Sequence, residues 1–148
     1  MELKGKRIVL RPYLKKDERR LAELANDKTV SRFTRIPCPY KLKDAKNFIK
    51  SSNYNIRKKE EYPFAITLND EMIGGVSLIR LDKRDNRAEL GYWLGKPYRR
   101  KGYAIEAAKL VLDFGFRKLK LNKILVSCAK QNNDSKRLID KLHAKEEV

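Results

Sequence analysis

The sequence predicts an α/β (α+β) fold, in which helices flank a mixed central sheet and the elements follow the order β-α-α-β-β-β-α-β-α. Two hydrophobic periodicities alternate along the chain, one of about 2 residues typical of strands and one of about 3.6 residues typical of helices. Polar, glycine-containing or proline-containing turns separate these segments. The 148 residues, 41% of them hydrophobic, suffice for one compact domain spanning residues 1–148.

The first part of the chain predicts a strand and two helices. Residues 7–14 are rich in apolar residues and form the first strand, and Asp17 is expected to cap the short helix that carries Leu21 and Leu24. A second helix follows the proline-containing stretch 37–39. Its apolar residues at helical spacing are Leu42, Ala45, Phe48 and Ile49.

The centre of the chain predicts three strands. Residues 64–68 and 72–81 are strand-like, and the polar residues 69–71 between them form a natural tight turn. A third strand covers residues 87–94. Alternation places Ala88, Leu90, Tyr92 and Leu94 on one face of this strand and Glu89, Gly91 and Trp93 on the other.

The second half of the chain predicts a long helix, a strand and a last helix. Residues 104–117 have an apolar side that includes Ala107 and Val111 and a polar stripe that includes Glu106 and Asp113. Glu106 is expected to be structural or to face solvent. A strand over residues 123–129 follows, and residues 132–134 open the last helix.

The charge of the chain predicts an anionic partner. Lys and Arg minus Asp and Glu give 36 − 19 = +17, and charged residues reach 37%, compared with about 25% in an average soluble domain. Such a balance suits a phosphorylated small molecule, a nucleic acid or an acidic surface. It carries no information on the fold.

Several function classes are disfavoured by the composition. No apolar run approaches the ~20 residues that span a bilayer, so no membrane partner is expected, and the N-terminus lacks the pattern of a secretory signal. Cys38 and Cys128 lie in unrelated contexts, and the lone His143 completes no standard zinc-ligand pattern with them. No metal and no Ser-His-Asp hydrolysis are therefore expected, and a reducing, cytoplasmic setting is the default.

Residues 95–104, which join a predicted strand to the long helix, carry the most chemical information. Gly102 allows a tight turn and the close approach of a ligand. The unpaired N–H groups of the first helical turn, together with Arg99, Arg100 and Lys101, predict a cradle for a pyrophosphate. The spacing matches neither a Walker A loop nor a dinucleotide fingerprint. A basic helix N-terminus without a ligand is the alternative.

This segment resembles a known signature. Arg99-x-x-Gly102-x-Ala104 is similar to the Gln/Arg-x-x-Gly-x-Gly/Ala acetyl-CoA signature of the GNAT N-acetyltransferases. Other segments, in the same order along nearly the whole chain, resemble the branch that contains the ribosomal-protein N-terminal acetyltransferases. They are Leu10-Arg11-Pro12 with Asp17, residues 88–94, residues 102–107, and Asn132-x-x-Ser135.

The resemblance implies direct transfer of an acetyl group from acetyl-CoA to an amine. It implies backbone contacts to the pantetheine arm from the end of the third central strand, a diphosphate held by residues 99–104, and a contact to the pantetheine region after the next strand. The cofactor-binding residues that it implies are Trp93, Leu94, Arg99, Arg100, Lys101, Gly102, Tyr103, Ala104 and Asn132.

Glu89 and Ser135 are the candidate catalytic residues. Acetylation requires a neutral amine and a proton donor for the departing thiolate. Glu89 is the expected base, directly or through a water, because it shares a strand face with Gly91 and Trp93, where a cleft could open. Its alternative is to face solvent or pair with a cation. The resemblance implies that a tyrosine protonates the departing thiolate, but this chain has Ile139 at the matching position. Ser135 is therefore the candidate proton donor. Alternatively, Ser135 is a structural residue whose hydroxyl bonds to the backbone of the first helical turn.

The acceptor is predicted to be a primary amine, either a peptide or a small amine. A protein N-terminus, with ribosome association, is favoured because an α-amino group with a pKa of about 8 is partly neutral. A polyamine is the alternative within the class, and a non-catalytic basic RNA- or ribosome-binding module is the alternative outside it. The family resembled has two further strands after the position of His143. The acceptor half is thus expected to be shortened, or completed by a second subunit of a homodimer.

Overall fold

The computed structural model of the chain describes residues 1–27 and 39–126. The strands are β1 (Leu3–Lys4), β2 (Val9–Arg11), β3 (Tyr62–Leu68), β4 (Glu71–Asp82), β5 (Arg87–Leu94) and β6 (Lys123–Val126). The helices are α1 (Glu18–Ala25), α2 (Leu42–Arg57) and α3 (Tyr103–Arg117), and short 3-10 turns cover Lys15–Asp17 and Lys96–Tyr98. None of these helices is long and apolar enough to cross a bilayer.

The strands form one mixed six-stranded sheet in the order β1-β2-β3-β4-β5-β6. Neighbouring strands are antiparallel except β5 and β6, which are parallel. A parallel pair requires a crossover connection, and α3 supplies it. The predicted α/β fold, with helices flanking a mixed central sheet, is confirmed.

The N-terminal strands differ from the sequence expectation. The first strand is shorter than residues 7–14, since only Val9–Arg11 pairs with β3. Pro12 has no N–H to donate to a ladder, which explains why pairing stops before it. A two-residue strand that the sequence does not predict, Leu3–Lys4, pairs with β2. The predicted end of the last strand at residues 127–129 and the last helix lie outside the described residues.

Helix α3 covers one face of the sheet and forms the larger core with it. Ala107 and Ala108 are fully buried in this interface. Gly115 lets the helix approach β6 closely, because an added Cβ would lie 2.6 Å from the Ile124 side chain. The largest fully buried side chains of this core are Ile8, Leu10, Phe64, Ile66, Ile73, Val76, Leu78, Leu90 and Val111.

Helices α1 and α2 cover the opposite face with a smaller core, against which Trp93 packs. Its buried members are Tyr13, Leu21, Ala25, Tyr40, Ala45, Ile49, Ala65 and Met72. The predicted alternation in β5 is confirmed, because Ala88, Leu90 and Leu94 are buried in the α3 core. The sheet therefore separates α3 from the side chains of Glu89 and Trp93.

A buried ion pair joins β2 to the segment before α1. Arg11 Nη1 and Nη2 donate to the two carboxylate oxygens of Asp17 at 2.7 and 2.9 Å, and Asp17 also accepts from the Leu14 N–H at 2.7 Å. The prediction that the Asp17 side chain caps α1 is wrong. Asp17 occupies the N-cap position but makes no side-chain bond to the helix, because its oxygens bind the guanidinium through stronger, charge-assisted bonds.

We expect Asp17→Asn to lower the free energy of unfolding by about 3 kcal/mol, because it leaves the buried Arg11 guanidinium with only the exposed Asp70 carboxylate, 3.6 Å from its Nε, as an ionic partner among the described residues. Asp113→Asn is the matched control, since Asp113 pairs with Arg117 at 2.8 Å on the exposed side of α3 and such pairs contribute roughly 0.3–0.5 kcal/mol. Urea unfolding measures both variants. An equal decrease in the free energy of unfolding in both variants would contradict a stabilising role of the buried Arg11–Asp17 pair.

Candidate active site

The loop that enters α3 ends on a glycine in the left-handed conformation. Gly102 is the N-cap residue with a φ of 86°, which favours glycine because it has no Cβ. The Glu106 N–H donates to the Gly102 carbonyl at 3.2 Å and begins the helix ladder. The N–H groups of the residues between them precede the ladder and point out of the helix N-terminus, where the helix dipole is positive. This geometry suits a phosphate group.

The cations of the loop divide into two kinds. Arg100 and Lys101 are exposed, and Arg100 is itself left-handed with a φ of 63°. Arg99 instead turns toward the protein, where its Nε donates to the Leu94 carbonyl at 3.1 Å and its Nη2 lies 3.3 Å from Asp27 Oδ2. Arg99 therefore holds the loop against the protein, while Arg100 and Lys101 are accessible to solvent.

Strand β5 is bonded over different lengths on its two sides. It pairs with β4 from Arg87 to Leu94, whereas the described pairing with β6 runs from Arg87 to Leu90. Leu90 pairs with Val126, which is the last residue that the structure describes. The end of β5 leads directly into the loop that precedes α3.

The backbone direction at the end of β5 follows from one hydrogen bond. The Gly95 N–H donates to the Ile73 carbonyl of β4 at 2.9 Å. Bonded and non-bonded pairs alternate in an antiparallel ladder, so the backbone groups of Trp93 face β4 and those of Leu94 face away from β4. The bond from Arg99 to the Leu94 carbonyl agrees with this direction.

Trp93 is held in place by a buried tyrosine. Tyr13 is fully buried, its hydroxyl accepts a hydrogen bond from the Trp93 side chain, and burial raises the pKa of Tyr13 far above its usual range. Its ring also meets Phe48 edge-on, with 5.1 Å between the ring centroids. An added Cβ at Gly75 would lie 2.1 Å from the Tyr13 hydroxyl and 2.7 Å from Trp93 Nε1. Gly75 thus leaves the space in which Tyr13 and Trp93 meet.

Glu89 lies on the same face of β5 as Trp93. They are separated by roughly 13 Å, at about 3.3 Å per residue. Glu89 Oε2 lies 3.2 Å from Arg80 Nη1, and 24% of the Glu89 side chain is exposed. Arg80 has a φ of 52° and lies where the β4–β5 pairing becomes irregular. The carboxylate is therefore accessible to a ligand or a water, and the pairing with a cation, which the sequence leaves open as the alternative to a base, is observed.

Glu106 has a structural role, one of the two that the sequence leaves open. Its Oε2 accepts hydrogen bonds from the N–H groups of Arg7 and Ile8 at 2.9 and 3.2 Å, and its Oε1 accepts from Arg7 Nε at 2.8 Å. Partial burial opposes ionisation of the carboxyl. The bonds from Arg7 and Ile8 and the charge of Arg7 outweigh it, so the pKa of Glu106 lies below its usual range.

Sequence reasoning misses the residues that support the site from a distance. Arg7, Tyr13, Gly75 and Arg80 all touch predicted site residues or hold them in place. Arg7 meets its partners 94 to 99 positions away, and local periodicity carries no signal for such contacts. Only the resemblance along residues 102–107 draws attention to Glu106, the partner of Arg7.

Two predicted residues, Asn132 and Ser135, lie outside the described residues, so their roles stay predictions. Within residues 1–27 and 39–126, no group of three or more His, Cys, Asp or Glu side chains is arranged to hold a metal ion. The described part of the site therefore consists of a helix N-terminus, the end of β5 and a carboxylate.

Comparison with known proteins identifies the class. Residues 7–145 match the acetyltransferase (GNAT) domain family. Spermidine N(1)-acetyltransferase of Escherichia coli strain K12 is 30% identical over 138 residues, which cover 91% of this chain and 71% of the relative. A candidate ribosomal-protein-serine acetyltransferase of Vibrio cholerae superposes on 100% of this chain and 85% of its own, with a TM-score of 0.87 and 25% identity. A ribosomal L7/L12 alpha-N-protein acetyltransferase in complex with coenzyme A covers 97% of this chain and 83% of its own, with a TM-score of 0.88 and 15% identity.

The chain belongs to the GNAT acetyltransferase family, because the match to the family spans nearly its whole length. It is an acyltransferase of the N-acetyltransferase class, and the resemblance carried by residues 99–104 is confirmed at the level of the family. In the L7/L12 acetyltransferase the same fold holds coenzyme A.

We expect Gly75→Ala to displace Trp93, because the new methyl group would overlap the Tyr13 hydroxyl and the indole. Trp93 is the only tryptophan of the sequence, so its fluorescence maximum should move to longer wavelength. The free energy of unfolding should fall by roughly 1–3 kcal/mol, the usual cost of overpacking. Gly91→Ala is the matched control, since an added Cβ there meets nothing within 4 Å. An unchanged spectrum in Gly75→Ala would be incompatible with the Tyr13–Trp93 contact.

Proposed function

We propose that this chain transfers an acetyl group from acetyl-CoA directly to a primary amine, and that this amine is a protein N-terminus of the ribosomal-protein type. In this proposal residues 1–148 form one acetyltransferase domain that acts in the cytoplasm and uses acetyl-CoA as a co-substrate without a metal ion. The observation that carries it is the α3 N-terminus, which a short loop joins to the end of β5, in a member of the GNAT family.

The start of α3 is suited to the diphosphate of acetyl-CoA. The N–H groups of the first helical turn and the positive end of the helix dipole complement its negative charge. Arg100 and Lys101 add exposed cations in the same loop. Gly102 takes the left-handed conformation that this turn requires, and an added Cβ there would lie 3.0 Å from Arg7 Nη2. Tyr103 and Ala104 contribute the first N–H groups of the helix.

We propose that the pantetheine arm binds at the end of β5, along the edge that faces away from β4. The arm carries amide groups, which can bond to a strand edge as an added strand would. We assign the Leu94 N–H to this contact, because the Leu94 carbonyl already accepts a bond from Arg99. The resemblance also implies a backbone contact from Trp93, but the Trp93 backbone groups face β4, so we propose a contact through the Trp93 side chain instead. Asn132 stays the predicted contact to the pantetheine region.

Glu89 is the base of the proposed reaction. The amine nitrogen bonds to the thioester carbon, the carbon–sulfur bond breaks, the amine nitrogen loses a proton and the departing sulfur gains one. Glu89 accepts the proton of the amine, directly or through a water. An incoming ammonium competes with Arg80 for the carboxylate, because Arg80 occupies Oε2. Ser135 stays the predicted proton donor to the sulfur.

A protein N-terminus is the favoured acceptor on chemical grounds. An α-amino group with a pKa of about 8 is partly neutral at cellular pH, whereas a lysine amine with a pKa of about 10.4 is almost entirely protonated. An N-terminal amine therefore depends less on deprotonation by Glu89. The names of the Vibrio cholerae and L7/L12 neighbours refer to ribosomal proteins. The net charge of +17 suits association with the anionic surroundings of a ribosome. A second subunit that completes the acceptor half stays a prediction.

Polyamine acetylation is the second candidate, and the Escherichia coli spermidine acetyltransferase at 30% identity favours it. A polycation is best bound by an acidic cleft, because each of its charges then finds a partner. Arg80 lies against Glu89, and the exposed Arg87 begins the same strand. These cations make the surroundings of the proposed base less suited to a polycation than to a single amine.

We expect acetyl-CoA turnover with peptides that carry a free α-amine, and none with the same peptides blocked at the N-terminus. Spermidine should be acetylated with a lower kcat/KM, because Arg80 and Arg87 repel a polycation more strongly than a single amine. The assay measures release of the free thiol of coenzyme A. A higher kcat/KM with spermidine than with the peptides would contradict the proposal of a protein N-terminus and identify a polyamine as the acceptor. No turnover with any amine, combined with salt-dependent RNA binding that ignores acetyl-CoA, would favour the non-catalytic module.

We expect Glu89→Gln to lower kcat by about 10²- to 10⁴-fold, the usual contribution of a general base, and to leave the dissociation constant for acetyl-CoA unchanged. Glu71→Gln is the matched control, because Glu71 also forms an ion pair, with Arg20 at 2.7 Å, at the other end of β4. Steady-state kinetics and calorimetry compare the two variants. Full turnover in Glu89→Gln would show that the carboxylate serves only its pair with Arg80.

A further inference from the structure

Arg7 connects the turn between β1 and β2 to the start of α3. Its Nη1 donates to the Lys101 carbonyl at 2.8 Å, and its Nε donates to Glu106 Oε1 at 2.8 Å. The guanidinium also lies over the Tyr103 ring, 4.6 Å from the ring centroid. One side chain therefore spans the phosphate-facing loop and the first turn of the helix.

Glu106 holds Arg7 from two sides. Besides the guanidinium, it binds the backbone N–H groups of Arg7 and Ile8 through Oε2. Gly5 provides the space for this oxygen, because an added Cβ would lie 2.6 Å from it. The planar guanidinium is thus restrained by an ion pair, a carbonyl and an aromatic ring, which leaves it little rotational freedom.

The bond to Lys101 determines the direction of the next N–H. In a trans peptide the C=O and the N–H point to opposite sides. Because the Lys101 carbonyl turns toward Arg7, the N–H of Gly102 turns away from it. The Gly102 N–H is thereby left available as a donor to a ligand at the helix N-terminus.

The charges around this loop favour an anion. Arg7, Arg100 and Lys101 all lie near the positive end of the α3 dipole, where cations are unfavourable. Glu106 offsets the charge of Arg7. An anionic ligand would be attracted to these cations, and 46% of the Arg7 side chain is exposed toward solvent.

We propose that Arg7 is a positioning residue for the diphosphate of acetyl-CoA, an inference that rests on the proposed function. Through the Lys101 carbonyl it directs the Gly102 N–H toward the phosphate oxygens. Through Glu106 it anchors the first turn of α3 to the N-terminal segment. The loop is then organised before the ligand arrives, which lowers the cost of ordering it on binding.

Calorimetric titration of coenzyme A into Arg7→Ala and Arg7→Lys tests this inference. We expect both variants to bind about 10- to 100-fold more weakly than the unaltered chain, the effect of losing charge-assisted hydrogen bonds. Lysine keeps the charge but lacks the planar fork that contacts Lys101 and Glu106 together. Lys6→Ala removes the neighbouring exposed charge and is expected to bind coenzyme A as the unaltered chain does.

Steady-state kinetics separate positioning from a general loss of structure. The KM for acetyl-CoA should rise in both Arg7 variants, while kcat at saturation should stay unchanged, because the diphosphate is remote from the reacting carbon. Arg7→Lys with the affinity of the unaltered chain, or a fall in kcat equal to the loss of affinity, would overturn the inference. If the unaltered chain itself binds no coenzyme A, the proposed function fails instead, so the two failures are distinguishable.

Discussion

Strand β5 is hydrogen-bonded to β4 along its whole length and to the described part of β6 along its first half only. This uneven pairing determines where each part of the proposed site lies. Alternation along the strand directs Leu90 and Leu94 into the α3 core and leaves Glu89 and Trp93 on the opposite face. A single segment of chain therefore carries, in order, the proposed base, the end of β5 and the turn into α3.

The N-terminal segment supplies the contacts that keep this arrangement in place. The buried pair of Arg11 and Asp17 fixes the chain before α1, and Tyr13, between these two residues, reaches Trp93. A few residues earlier, Arg7 reaches the loop before α3. The stretch that resembles the ribosomal-protein acetyltransferases near the N-terminus thus has a physical explanation, because it supports the face on which the acceptor is proposed to bind.

Much of the fold can be predicted from the sequence where the local pattern decides it. The alternation in residues 87–94 and the apolar side of residues 104–117 both depend only on which face each side chain occupies. The tight turn between β3 and β4 is likewise local, since Asn69 and Asp70 both adopt left-handed conformations that these residue types tolerate.

The parts that could not be predicted depend on tertiary contacts. Asp17 has the sequence context of a helix cap, yet its carboxylate binds the Arg11 guanidinium of β2. Arg99 lies in a signature for phosphate binding, yet its guanidinium is bound by the Leu94 carbonyl and Asp27. Arg7 has no distinguishing neighbours in sequence, because its partners lie on α3 and the preceding loop. In each case the contacts of the side chain depend on residues that are distant in the sequence. Periodicity and motif spacing carry no information on such contacts.

We propose that the start of α3 and the end of β5 together bind acetyl-CoA as one specific ligand. Calorimetric titration of the purified chain with acetyl-CoA, beside adenosine bisphosphate as a control for charge, tests this proposal most directly. We expect saturable binding at a single site and a tighter complex with acetyl-CoA than with adenosine bisphosphate, because the pantetheine arm adds contacts to the end of β5. No binding, or binding equal to that of adenosine bisphosphate, would contradict it.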